Sequence, residues 1–233
     1  MAQHDMILSD TPVLHPANWL RGLRAQVPRK TLRDRWNRIC YGPEAPQSDE
    51  LIFVPPDQIH YTYDSAAGKR PLRRQESGMI LGGDWDRCRS DMSRQIKIKS
   101  CRMRYVDGAE WPETPLFRKF LKEIAEGRHP DGCRTPEELA QRYEGLDHIY
   151  KQTKARGRLL SQAELPDFFR REHGGILVHI GRNGELLRAS GGMHRFAIAQ
   201  ILGLPEIPAQ LGVVHPEALY KGLLAPLRIS RLR

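Results

Sequence analysis

The sequence predicts an α/β (α+β) chain in which short strands and helices alternate and a helical insertion separates the early strands from the late ones. Three observations carry that reading. Residues 176–208 read as strand, tight turn, strand, glycine pair, helix and stop; residues 51–59 open with a short apolar, β-branched run; and residues 112–156 keep apolar side chains at helical spacing. The 233 residues suffice for one large domain with a real core. No apolar run approaches the ~18 residues of a membrane span.

Residues 1–15 read as poorly ordered, and they lack the basic and apolar regions of a secretory signal. A helix over about 17–26 ends before Pro28. A second, over 30–40, places Leu32, Trp36, Ile39 and Cys40 on one face and Arg and Lys opposite. Gly42, Pro43 and Pro46 then break the chain. Residues 1–45 thus form an N-terminal helical arm that packs on the core or on a partner, and 46–233 form the main domain.

After the strand at 51–54, Tyr61 and Tyr63 extend it, and 69–74 is a basic loop. Residues 96–105, IKIKSCRMRY, alternate apolar and basic with one slip at Ser100-Cys101, which fits a bulged strand with a basic face; a helix is the alternative. The insertion spans about 112–160. Thr114-Pro115 starts one helix, with Leu116, Phe117, Phe120, Leu121 and Ile124 inward. Thr135-Pro136-Glu137-Glu138 is a capping box that starts another, with Leu139, Tyr143, Leu146, Ile149 and Tyr150 inward and Gly157 at its end. Ser161 and Glu164 cap a third, short helix containing Phe168 and Phe169. Asn183-Gly184 is a type I′ hairpin signal, and Gly203 with Pro205 ends the last helix.

The chemistry lies at the junction Ser190-Gly191-Gly192-Met193-His194-Arg195. Two glycines before a helix leave backbone N–H groups open at the positive end of its dipole, where anions bind. His194 and Arg195 place cationic donors in the first turn, which is electrostatically wrong unless an anion joins them. An arginine there clamps phosphate oxygens bidentately. The plain alternative is a capped helix with a solvated His-Arg pair.

This motif, with the Ala-rich helix after it, Leu202-Gly203 and Ile207-Pro208, resembles the ParB/sulfiredoxin superfamily over about residues 174–215. The run 51–59, LIFVPPDQI, is similar to that fold's opening strand and turn. The resemblance implies a small mixed sheet with flanking helices and nucleotide phosphates held at Ser190, Gly191, Gly192, Met193, His194 and Arg195. Met193 stands where sulfiredoxins carry the cysteine that their repair chemistry needs, and a thioether forms no thiolate. The kinase members of the superfamily imply instead ATP-dependent phosphoryl transfer to a hydroxyl of a small molecule or glycan-linked acceptor, with ATP and Mg²⁺. The ParB members imply the alternative, a non-catalytic nucleotide- or DNA-binding module.

A kinase also needs a carboxylate. Gly82-Gly83-Asp84-Trp85-Asp86 offers Asp84 and Asp86 as base or Mg²⁺ anchor, although Asp84 as a helix cap and Trp85 as a core anchor account for the same residues. His179 and Arg182 flank the hairpin and are candidate acceptor or phosphate contacts. A net charge of +9 points to anionic partners such as nucleotides and phosphorylated or sulfated sugars. The basic residues are spread out, with no helix-turn-helix and few aromatics for base stacking, so nucleic acid is the second choice. Cys40, Cys88, Cys101 and Cys133 have no metal or redox spacing and read as free thiols of a cytoplasmic protein.

Overall fold

A computed structural model describes residues 16–189 and 191–232. Residues 1–15 and Ser190 of the motif lie outside the described residues. In chain order the elements are α1 (Pro16–Arg24), α2 (Val27–Tyr41), β1 (Leu51–Val54), β2 (Tyr61–Tyr63), β3 (Arg89–Asp91), α3 (Ile96–Tyr105), α4 (Pro115–Ala125), α5 (Pro136–Arg156), β4 (Ile176–Ile180), β5 (Leu186–Arg188), α6 (Met193–Ile201), β6 (Ile207–Val214) and α7 (Pro216–Tyr220). The six strands form one mixed sheet in the order β1-β6-β4-β5-β2-β3. The interior neighbours β6 and β4 are parallel, as are β5 and β2; β4 with β5, β1 with β6 and β2 with β3 are antiparallel. The fold is therefore the α/β class that the sequence predicts.

Central strands of a covered sheet must be apolar on both faces, and β4 and β6 are buried along their whole length. On one face Ile176, Val178, Ile180 and Leu211 meet Phe196 of α6, Leu116 and Phe120 of α4, and Leu139 and Tyr143 of α5 in one core. The helical insertion is thus a wall of that core. Thr114 and Thr135 cap α4 and α5 as their sequences predict, and Gly157 ends α5 in the left-handed region. The opposite face carries a smaller cluster of Tyr63, Leu72, Trp85, Leu187 and Val213.

Five local expectations need correction. Residues 96–105 form helix α3 and not a bulged strand, because Ile98 and Cys101 bury one helical face and Ser100 Oγ accepts the N–H of Leu116 at the start of α4. Tyr61 and Tyr63 belong to a separate strand, β2, which pairs with β3 and β5 far across the sheet from β1. Between β4 and β5, Gly181 N–H is bound to Glu185 O across the turn Arg182-Asn183-Gly184, with Gly184 alone at positive φ. That is a type I turn followed by a left-handed glycine. Ser161 and Glu164 do form a capping box, but it closes a single 3₁₀ turn that excludes Phe168 and Phe169.

The fifth correction concerns α2. Leu32, Trp36 and Ile39 face outward, 70, 64 and 77 % exposed, and Cys40 is exposed too. The buried side holds Lys30 and Asn37. The surface that α2 meets is polar backbone and a buried carboxylate: Asn37 Nδ2 donates to the carbonyls of Pro46 and Gly78, and Lys30 Nζ to Asp49 Oδ1 at 2.7 Å. Unpaired polar groups in the interior are costly, so these bonds set the helix's rotation over its apolar stripe. No helix among the described residues is long and apolar enough to cross a membrane.

Candidate anion-binding site

Helix α6 starts at a glycine pair in the left-handed region, with φ +92° at Gly191 and +63° at Gly192. Both positions are also sterically closed to a side chain. A Cβ on Gly192 would come within 2.8 Å of Ile176 Cγ1, and one on Gly191 would overlap the Arg74 guanidinium. The loop is thereby pressed onto the first residue of β4. The opening N–H groups of an α-helix lack intrahelical acceptors and point out along the axis. Gly191 is exposed, so that end of α6 is open to solvent.

Two arginines meet Gly191, and a third stands in the first turn of α6. Arg188, at the end of β5 and 3 % exposed, donates to the Gly191 carbonyl. Arg195, in the first turn of α6, donates to the Leu160 carbonyl. Arg74, from a 3₁₀ turn before the second face of the sheet, donates to Gln210 Oε1 and lies against Gly191. Burial lowers the pKa of all three, and burial together with Arg74 brings Arg188 to about 10. All three remain cations at neutral pH.

A chain of buried polar contacts continues away from Arg74. Gln210 Nε2 donates to Asp49 Oδ1 at 2.7 Å, and Asp49 also receives Lys30 and lies 3.2 Å from His173 Nδ1. Burial opposes the charge on Asp49, but its hydrogen bonds with His173 and Lys30 hold its carboxyl below the ordinary value. Arg170 Nε lies 3.3 Å from Asp49 Oδ2. Glu172, 1 % exposed, takes the Gln162 N–H on Oε2, whereas its Oε1 finds no partner among the described residues. Burial raises its pKa. Among the described residues Arg74, Arg188 and Arg195 have no carboxylate ion-pair partner, which leaves positive charge near the positive end of α6.

The residues singled out in the sequence divide sharply. Gly191, Gly192 and Arg195 lie at this site. Met193 packs its thioether against the core. His194 is buried edge-on to Tyr143 of α5, with Nε2 unpartnered, and burial brings its pKa to about 4. It is a neutral ring, which corrects the expectation of a protonated phosphate ligand. His179 is fully buried on the sheet's second face between Tyr63 and Trp85, where Nδ1 accepts the Val213 N–H, so it contacts no ligand. Its pKa falls to about 4 through burial.

Asp84, Asp86 and Arg182 form a separate group. Arg182 donates to Asp86 Oδ2 at 2.8 Å and to Asp84 Oδ1 at 2.7 Å. Burial opposes the charge on Asp86, yet Arg182 holds its carboxyl below the usual range. Asp86 packs on Gly181, just past the last residue of β4, whereas Gly192 packs on Ile176, the first. At ~3.3 Å per residue, the length of β4 puts roughly 15 Å between them. Both carboxylates thus lie toward the opposite end of β4 from residues 191–195, and both are engaged by Arg182. Among the described residues no group of three or more His, Cys, Asp or Glu is placed to hold a metal ion. At the α6 end the groups that would meet a nucleotide's phosphates are the exposed Gly191 and the arginines beside it.

Sequence reasoning missed Arg188, Glu172, Asp49, Lys30 and Gln210. Arg188 alone carried a signal, as a cation ending an otherwise apolar strand two residues before the motif. No protein-family model, no curated protein and no solved structure matches the chain.

Proposed function

We propose that this chain is an ATP-dependent phosphotransferase acting on a hydroxyl of a small or glycan-linked acceptor, with the nucleotide's phosphates at the start of α6. The observation that carries the reading is that Arg74 and Arg188 both meet the left-handed Gly191, with Arg195 in the first turn of α6 and Glu172 buried near Arg74 and Arg195. Phosphoryl transfer asks the protein mainly for positioning and charge neutralisation. Arg188 and Arg195 supply both toward phosphate oxygens, together with the N–H groups that follow Gly192.

Glu172 takes the role that the sequence assigned to Asp84 or Asp86. Its Oε1 has no donor among the described residues, and burial raises its proton affinity. Both properties suit a group that accepts the acceptor hydroxyl's proton. Mg²⁺, in this reading, arrives with the phosphates and not through a protein-only site.

The test is ADP release from ATP, measured with a panel of hydroxyl acceptors, together with ATP-induced thermal stabilisation. Glu172→Gln should keep the stabilisation and lose turnover. Full turnover in that variant would remove Glu172 from the mechanism. Absence of any ATP effect on the wild-type protein would remove the kinase reading altogether.

A further inference from the structure

Arg74 has a second neighbourhood. Besides touching Gly191, it lines a cavity of about 480 Å³ between α1, the start of α2 and the turn at residues 73–75. The lining is Arg21, Arg24, Ala25, Lys30, Arg73, Arg74, Gln75, Phe169 and His173. Among the described residues it contains five cationic side chains and no carboxylate. Of the five, Lys30 alone has an ion-pair partner within 4.0 Å among the described residues, Asp49. Arg21 donates to the backbone carbonyl of Asp167 and covers the Phe169 ring at 4.8 Å. His173 meets the same ring edge-on. The lining's single aromatic ring is therefore already engaged by protein groups, which disfavours a nucleobase as the occupant.

We infer that this cavity is the acceptor subsite and that it selects an acceptor bearing its own negative charge, of the class of a sugar phosphate, sugar sulfate or uronic acid. The inference rests on the phosphotransferase reading for its role and on the cavity's charge for its ligand class. Cations crowded into a partly enclosed space repel one another, and a bound anion removes that cost. The cavity's volume lies within the range that holds small-molecule ligands. Its shared wall, Arg74, then stands between the acceptor's charge and the phosphates at Gly191. The acceptor's charge is thereby anchored in the cavity while its hydroxyl reaches past Arg74 toward the phosphates and toward Glu172, whose carboxyl acts on Arg74. The arm carrying α1 and Lys30 supplies Arg21, Arg24, Ala25 and Lys30 to the lining, which gives the N-terminal helices a part in substrate selection.

The experiment is calorimetric titration in two stages. A non-hydrolysable ATP analogue is titrated first, into wild type, Arg195→Ala and the double variant Arg21→Gln/Arg73→Gln. Then, with the analogue saturating so that its own site is filled, glucose 6-phosphate, glucose 6-sulfate, glucuronate and glucose are titrated in turn. The expected result is that at least one charged sugar binds at least tenfold more tightly than glucose, with an affinity that falls as salt rises. The double variant should lose that preference by tenfold or more while binding the analogue as wild type does. Equal binding of glucose and the charged sugars, no binding by any charged sugar, or an unchanged preference in the double variant each overturns the acceptor subsite. Failure of the first stage in wild type overturns the nucleotide site instead.

Discussion

Gly191 and Arg74 occupy one small volume: a Cβ on Gly191 would overlap the Arg74 guanidinium. The glycine is present for close approach as much as for its φ of +92°. Gly191→Ala therefore has two effects. The strained backbone costs ~1–3 kcal/mol, and Arg74 is pushed off the α6 end. The expected outcome is a lower thermal midpoint together with loss of ATP-induced stabilisation. Gly203→Ala is the control, because Gly203 also has positive φ, +60°, but a Cβ there meets nothing within 4 Å. That variant should lose stability and keep the ATP response; identical behaviour of the two would make Gly191 an ordinary turn residue.

Arg188 is a buried cation with no carboxylate partner among the described residues, and its Nε is unpartnered. Such a group destabilises the fold it sits in, and replacing it with an apolar side chain of similar length is commonly stabilising. Arg188→Met should raise the melting temperature of the ligand-free protein. The same change should weaken ATP binding by ~10–100-fold, the worth of a charged hydrogen bond. Stability and binding moving in opposite directions is the signature of a functional site. A variant that loses both would mark Arg188 as structural.

The two buried histidines predict an acid-labile fold. His179 and His194 both fall from an ordinary 6.5 to about 4. A group with a depressed folded pKa contributes stability that is complete above the unfolded value. That stability disappears as pH falls through the folded one. Denaturant unfolding should show a loss of stability between pH 6.5 and 4, steepest in the middle of that window. His194→Gln should flatten the curve over that window. Glu172 acts in the opposite sense. Its pKa is raised above the ordinary 4.5, so its contribution is favourable below that value and lost as pH rises through the raised one. Glu172→Gln should accordingly stabilise the protein at pH 7 and gain nothing at pH 4.

Asp84 and Asp86 separate structure from catalysis. Asp86→Asn weakens the Arg182 pair that closes the β4–β5 loop and should lower the melting temperature, whereas Asp84→Asn, at an exposed side chain, should change little. Neither should alter ATP-dependent stabilisation at matched temperature below the transition. Loss of turnover in a folded Asp84→Asn protein would return the catalytic carboxylate to the hairpin.

What the sequence conveyed and what it hid follow one physical division. Local signals were legible: the Thr114 and Thr135 caps, the stop at Gly157, the apolar run of β4 and the glycine pair before α6 all depend on neighbours a few residues away. Contacts distant in sequence were not. Arg74 meets Gly191 across more than a hundred residues, and Lys30 meets Asp49 through the interior of an arm whose apolar stripe points outward. The period rule failed at 96–105 and at α2 for different reasons: α3 buries Ile98 and Cys101 in the apolar core although its apolar and basic residues alternate along the chain. Hydrophobic periodicity identifies the buried face only when the surface it meets is apolar, and α2 meets carbonyls and a carboxylate. Asp84 and Asp86 drew attention by composition, whereas Glu172, in the undistinguished run Arg170-Arg171-Glu172-His173, is the carboxylate that folding brings beside the motif.

The most direct measurement is thermal stabilisation of wild type and Arg195→Ala by ATP, CTP, GTP and ADP, each with and without Mg²⁺. A nucleotide site at Gly191–Gly192 predicts a shift of several degrees in wild type for at least one nucleotide, and its loss in Arg195→Ala with the ligand-free melting curve still cooperative. No shift with any nucleotide, or the same shift in both proteins, would contradict it.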